Sequence, residues 1–286
     1  VEALKQVLRP TAPYRLAQAL RDRVARRGRF DRIFIDTPSS CNLRCPFCIN
    51  DWSALGQGRL MDAALFPRLA RLVPLALRDT CHLSCSYEPT LHRDFISLVE
   101  MVPRAHAHQA LFTTNLATRI SDDFLARLAR SGLGRVQISV ESLVPEVYEQ
   151  HRKNARFARF IDNLERLTAA FAAVPGAPRV RFITVASRLN LEEIPALVEQ
   201  CAARFAAWDH QVRPFYRVHA NDAWLDAQEL APGDWRELAR RMRGVRARCS
   251  LHEPTGDEPD TLNLRYLAVG AEGVAEAGWS SDRRFV

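Results

Sequence analysis

Apolar and polar positions along this chain alternate between short runs and longer, helically spaced ones. The short runs, over 32–36, 82–87, 110–114, 135–140, 179–186 and 210–216, have strand length and strand composition. Helical patterns fill the intervals at 61–77, 93–102, 121–131, 156–174 and 191–205. A βα unit repeated about six times predicts an α/β fold with a parallel sheet and helices outside it. Six such units close only part of a barrel and leave one side open. In parallel barrels the chemistry sits at the C-terminal ends of the strands.

Local signals support this division. Ser121-Asp-Asp opens a helix with a capping residue and first-turn acids, and Ser131-Gly132 closes it. Pro175-Gly176 ends another. After Tyr216 the periodicity weakens to one helix at 234–243, an acidic Pro-containing loop at 252–260 and an apolar run at 262–269. The expected domains are an N-terminal helical extension over 1–30, a partial barrel over 31–217, and a C-terminal segment over 218–286 that caps the barrel mouth.

With 286 residues, 47% hydrophobic and 26% charged, the chain is long enough to bury a sizeable core. No apolar run has the length of a membrane span. The Arg-rich opening segment carries Asp22 and lacks a cleavage-like end, which favours a surface helix over a transit peptide. Net charge is +7. The arginines are scattered along helices, as at Arg68, Arg127 and Arg159, so solvated helix faces explain the charge better than nucleic acid does. The seven cysteines form no secreted disulfide pattern, and a reduced, cytoplasmic compartment suits them.

Three of those cysteines carry the chemistry. Cys41-Asn-Leu-Arg-Cys45-Pro-Phe-Cys48 places three thiols in a short loop just after the first strand. Soft thiolates select iron–sulfur clusters or zinc. Zinc wants a fourth ligand at regular spacing, and none follows Cys48 nearby. A fully ligated cluster normally takes four cysteines, so three leave one iron open to a small molecule. The loop resembles that of the radical S-adenosylmethionine (SAM) enzymes. The resemblance covers roughly residues 32–216 and implies a partial (β/α)6 TIM-like barrel. It implies one [4Fe-4S] cluster on Cys41, Cys45 and Cys48, SAM chelated to the fourth iron, and an electron donor such as flavodoxin or ferredoxin. Phe47 then stands where the family has an aromatic residue near adenine.

Several strand ends match the family's SAM pocket. Ser84-Cys-Ser-Tyr-Glu88-Pro89 stands at the position of its Gly-Gly-Glu-Pro motif, with Ser86 and Tyr87 for the glycines, so Glu88 is expected at the SAM amino group. Thr113-Thr-Asn115 resembles Thr-Asn-Gly, with Leu116 for the glycine. Period-two alternation puts Gln137, Ser139 and Glu141 on one face. Ser139 and Glu141 are expected at the ribose or carboxylate of SAM. Arg152 is a candidate to pair a carboxylate bidentately, and Ser187 stands at the same rim.

The remaining thiols, Cys81, Cys85, Cys201 and Cys249, show no late, closely spaced group of the kind that holds auxiliary clusters. A redox-neutral reaction such as epimerisation becomes attractive, with a thiol returning hydrogen to the opposite face of carbon. Cys249 is expected as that donor, with Cys85 the alternative. Glu253, Asp257, Glu258 and Asp260 lie beside Cys249 and suit a polycationic substrate. The layout resembles the aminoglycoside-tailoring radical SAM epimerases of the neomycin C to neomycin B type. A radical SAM dehydrogenase or a tailoring enzyme of a sugar, cyclitol or peptide is the alternative.

Overall fold

The computed structural model describes residues 29–50, 58–84, 86–216, 223–252, 264–271 and 275–280. The expected extension over 1–30 lies almost wholly outside these residues, as do Cys85 and the acidic stretch 253–260.

Six strands follow one another across the sheet in chain order: β1 (Arg32–Ile35), β2 (Cys81–Leu83), β3 (Ala110–Thr114), β4 (Arg135–Ser139), β5 (Arg179–Val185) and β6 (Asp209–Arg213). Every neighbouring pair among them is parallel. Outside lie α1 (Phe66–Leu69), α2 (Phe95–Glu100), α3 (Asp122–Arg130), α4 (Pro145–His151), α5 (Phe157–Ala172) and α6 (Ile194–Phe205). The sheet is not closed, so the expected partial barrel is what forms.

Packing follows the sequence periods. In α5, Phe160, Asn163, Leu164 and Leu167 recur every three or four residues and are buried. A fully buried leucine such as Leu164 contributes on the order of 2 kcal/mol. Ser121 caps α3 as expected, its hydroxyl accepting from Phe124 N–H at 3.1 Å. The helix expected over 61–77 is shorter: α1 gives way to a 3-10 turn over Ala70–Leu75 that contains Pro74. Proline supplies no N–H and crowds the preceding turn.

Two strands end early for local reasons. β2 stops at Leu83 because Ser84 takes φ 75°, a left-handed conformation that a strand does not accommodate. β6 stops at Arg213 because Pro214 follows.

The C-terminal segment, expected to cap the barrel mouth, is described in part. After β6 come α7 (Ala223–Gln228) and α8 (Pro232–Met242). Then β7 (Cys249–Leu251) adds in parallel to β6 at one sheet edge. β8 (Leu264–Val269) adds in parallel to β1 at the other edge, and β9 (Ala275–Ser280) pairs antiparallel outside it. These strands extend the sheet at both edges, and α7 brings Trp224 and Leu225 against Phe47 beside the cluster loop. Among the described residues no helix is long and apolar enough to cross a membrane.

Candidate active site

The loop that leaves β1 is fixed from three sides. Ser40 carbonyl accepts from Glu88 N–H at 3.0 Å, which ties it to the end of β2. Arg44 N–H donates to Lys153 carbonyl at 3.0 Å, just beyond α4. Leu43 is buried in the core and anchors the loop between Cys41 and Cys45.

All three thiols line one cavity of about 160 Å³ at the C-terminal ends of the strands. Each sulfur receives a donor. Cys41 Sγ accepts from Leu43 N–H at 3.4 Å and from Asn115 Nδ2 at 3.5 Å. Cys45 Sγ accepts from Arg152 Nη1 at 3.6 Å, and Cys48 Sγ from Asn50 N–H at 3.5 Å. Such donors stabilise thiolate more than thiol. Without iron, burial outweighs them, pushing Cys41 up to about 12 and Cys45 to about 11. Loading the site therefore displaces protons from these thiols. Among the described residues, no three metal-ligating side chains gather around a single ion. Three separated, donor-supported sulfurs on one cavity wall fit a multi-iron cluster.

Of the other expected residues, Phe47, Glu88, Asn115, Ser139 and Arg152 also line the cavity. Glu88 holds the barrel rim together. Its Oε1 accepts from Thr90 Oγ1 at 2.6 Å and Thr114 Oγ1 at 2.7 Å, and its Oε2 from Asn115 N–H at 2.6 Å. Burial still raises its pKa, against these hydrogen bonds. Asn115 in turn bonds Asn42 Oδ1 at 3.0 Å, so the cluster loop and the end of β3 are one network. The next residue, Leu116, takes φ 55°, the conformation of the glycine expected there, and sits buried in the core. A strained backbone is here offset by a buried leucine.

Two expected SAM contacts, Glu141 and Ser187, do not line the cavity. Glu141 is fully buried behind the cavity wall, where it pairs with Arg152. Its Oε1 accepts from Arg152 Nη2 at 2.6 Å and its Oε2 from Arg152 Nε. A carboxylate removed from water requires such a partner. Ser187 is also fully buried and meets His151 Nε2 at 2.7 Å. His151 Nδ1 lies 2.8 Å from the Val147 carbonyl, which has only lone pairs, so Nδ1 carries the proton and Nε2 accepts from Ser187. Burial lowers the pKa of His151 and favours this neutral form.

Cys249, the expected hydrogen donor, does not line the cavity either. It pairs in register with His210 at the start of β7, three residues below Arg213 at the top of β6. There it packs with Val212, Trp235 and Met242 in the cluster formed by α6 and α8. The thiol is on the helix-covered side, away from the cavity.

Sequence reasoning missed four residues. Arg213 and Tyr216 line the cavity from the end of β6. The period-two pattern Asp209, Gln211, Arg213 carried that signal. His151 and Trp224 stand beside Phe47, with ring centroids 6.1 and 6.0 Å from it. Trp224 comes from α7, whose six residues gave no usable period.

The family model of the radical SAM superfamily matches residues 35–201. The chain belongs to the radical SAM superfamily. Its cofactors are accordingly a [4Fe-4S] cluster and SAM. It is 29% identical over 243 residues to the mycofactocin maturase MftC of Mycobacterium ulcerans, covering 81% of this chain and 61% of that protein. It is 28% identical over 211 residues to a GTP 3′,8-cyclase of Cyanothece, covering 70% and 62%. The chain thus spans about six-tenths of the length of these curated relatives. In fold it is similar to Streptococcus suis SuiB bound to SAM, with TM-score 0.66 at 17% identity, covering 96% of this chain and 69% of that one.

Proposed function

We propose that this radical SAM enzyme abstracts a hydrogen atom from an organic substrate held at the barrel mouth. One observation carries the reading: three thiols of one loop, each supplied with an N–H donor, open onto the cavity that Glu88, Asn115, Ser139 and Arg152 also line. Bound there, the cluster and SAM supply reductive cleavage of SAM to methionine and a 5′-deoxyadenosyl radical. Cys41, Cys45 and Cys48 hold the cluster. Arg152, fixed by Glu141, sets a permanent cation beside Cys45 that offsets thiolate charge. Phe47, flanked by His151 and Trp224, offers an apolar wall to adenine. Glu88 and Ser139 offer oxygen acceptors to the amino group and ribose of SAM. The electron comes from a flavodoxin or ferredoxin.

The finer reading, inversion of a sugar carbon in an aminoglycoside, loses Cys249 as a support, while Cys85 and the acidic stretch 253–260 lie outside the described residues. Cys249 stands on the outer face of β7, and Arg213 opposes a polycation at the cavity. A one-cluster, redox-neutral reaction keeps some support. Among the described residues Cys81, Cys201 and Cys249 lie on three separate elements, β2, α6 and β7. Peptides and nucleotides are the substrate classes to try first, since SuiB has been solved with its precursor peptide SuiA and a curated relative is a GTP cyclase.

The test is anaerobic reconstitution with iron and sulfide, followed by reductant and SAM. Deoxyadenosine from the wild-type protein and none from Cys45→Ala is the expected result. A cluster-loaded wild-type protein that leaves SAM intact would sink the reading.

A further inference from the structure

We infer that the substrate carries an anionic oxygen group, carboxylate or phosphate, that docks on Arg213 and Tyr216 at the β6 side of the cavity. The inference rests on the hydrogen-abstraction reading and adds the substrate's chemical class. Asp209, Gln211 and Arg213 alternate along β6 and share one face. The lower two are satisfied within the protein. Asp209 takes Arg181 Nε at 2.8 and 2.9 Å, and Gln211 Nε2 meets His252 Nε2 at 3.1 Å. Arg213 is the top rung, half-buried, at the cavity wall with Tyr216.

Among the described residues, the charged side chains on that wall are Glu88, Arg152 and Arg213. Glu88 is held by Thr90, Thr114 and Asn115 and is committed to SAM, and Arg152 is held by Glu141. Arg213 has no side-chain acceptor among the described residues. A guanidinium partly out of water, with a phenol beside it, presents N–H and O–H donors that an oxyanion satisfies bidentately. The charge of Arg213 attracts an anion to this side of the cavity and disfavours a cation there.

The test uses the reconstituted, SAM-loaded enzyme and isothermal titration with succinate, methyl phosphate and spermidine as probes. One of the anions is expected to bind, spermidine is not, and Arg213→Gln should weaken the anion by about tenfold while Arg213→Lys restores part of the affinity. Preference for methyl phosphate assigns a phosphorylated substrate, and preference for succinate a carboxylate. SAM affinity is titrated in the same variants. Failure of both anions to bind, tighter binding of spermidine, or an unchanged anion affinity in Arg213→Gln would overturn the inference. So would an equal loss of SAM affinity, because Arg213 would then hold the SAM carboxylate. Deoxyadenosine formation, measured separately on the wild type, reports on the radical chemistry itself. The two ideas can therefore fail independently.

Discussion

The two ends of this barrel use the same residue types to opposite effect. At the base, where the strands begin, Arg179 pairs with Asp79 and Arg181 with Asp209. Arg179 and Arg248 each lie over Trp208, 4.1 Å from its ring centroid. Packing there is tight enough that a Cβ on Gly134 would come within 2.3 Å of the His108 carbonyl oxygen. At the mouth, Arg152 pairs with Glu141 just as closely, but Nη1 is left over and reaches Cys45. The base spends its charges on one another and becomes a plug. The mouth holds one charge with another and leaves a donor for chemistry. An arginine–acid pair alone therefore says little about function; the unspent donor does.

Removing the sulfur that this donor serves gives the largest effect. Cys45→Ala should lose the cluster's visible absorption and all SAM cleavage, measured by anaerobic spectroscopy and deoxyadenosine yield. Breaking an ion pair at each end tests the comparison itself. Glu141→Gln strands a buried guanidinium and should cost about 3–5 kcal/mol of stability. It should also lower cluster retention and SAM cleavage, because Arg152 loses its position beside Cys45. Asp209→Asn at the more exposed basal pair should cost about 2 kcal/mol and leave SAM cleavage by the folded protein close to wild type. Thermal unfolding and deoxyadenosine yield, measured on both variants, separate the two ends. Equal loss of SAM cleavage in the two would erase the distinction.

The buried histidines give a smaller, pH-dependent effect. Thr184 Oγ1 donates to the Val140 carbonyl at 2.5 Å, so at 2.7 Å it accepts from His210 Nε2–H. Nδ1 is left buried and unprotonated. Burial pushes His210 from 6.5 down to about 3. Below pH 6.5 the unfolded chain takes up a proton that the folded chain refuses. Stability is therefore complete above 6.5 and is lost as pH falls toward 3, by about 1.4 kcal/mol per pH unit. His82 and His151 are depressed in the same direction. His210→Gln keeps a donor for Thr184 and should shed one proton's share of the slope between pH 6 and 4. An unchanged slope would mean that His210 titrates normally in the folded protein.

The fold was legible wherever pattern and physics act locally. β3 has the expected bounds, β1, β4 and β5 each end one residue early, and α3 and α5 lie inside their helical patterns. The cluster loop was legible because three cysteines at that spacing have few other uses. Roles that depend on contact between distant segments were not. Glu141 and Ser139 share an alternation, yet one sits behind the wall and the other on it, because Arg152 arrives eleven residues later to claim Glu141. Trp224 reaches Phe47 across more than half the chain, and no local signal marks that meeting. β7 has three residues and an exposed centre, too little for a period to register.

Cys249 closes the comparison from a third position, neither plug nor mouth. The sequence argument chose it for its place after the barrel and beside an acidic stretch, and both features are compatible with a strand on the sheet edge. Register decides otherwise. Opposite His210, Cys249 shares the face on which His210 meets Thr184 and Phe182, while Ser250 beside it shares the face of Gln211. Burial and Glu199 on α6 raise its pKa, which suits a packed thiol. A hydrogen donor must reach the substrate radical, and a thiol pointing into the helical layer cannot. Cys249→Ser should change stability by less than about 1 kcal/mol and leave both SAM cleavage and product formation within about twofold of wild type. Product formation that stops while SAM cleavage continues would put this thiol at the substrate and overturn the assignment of its face.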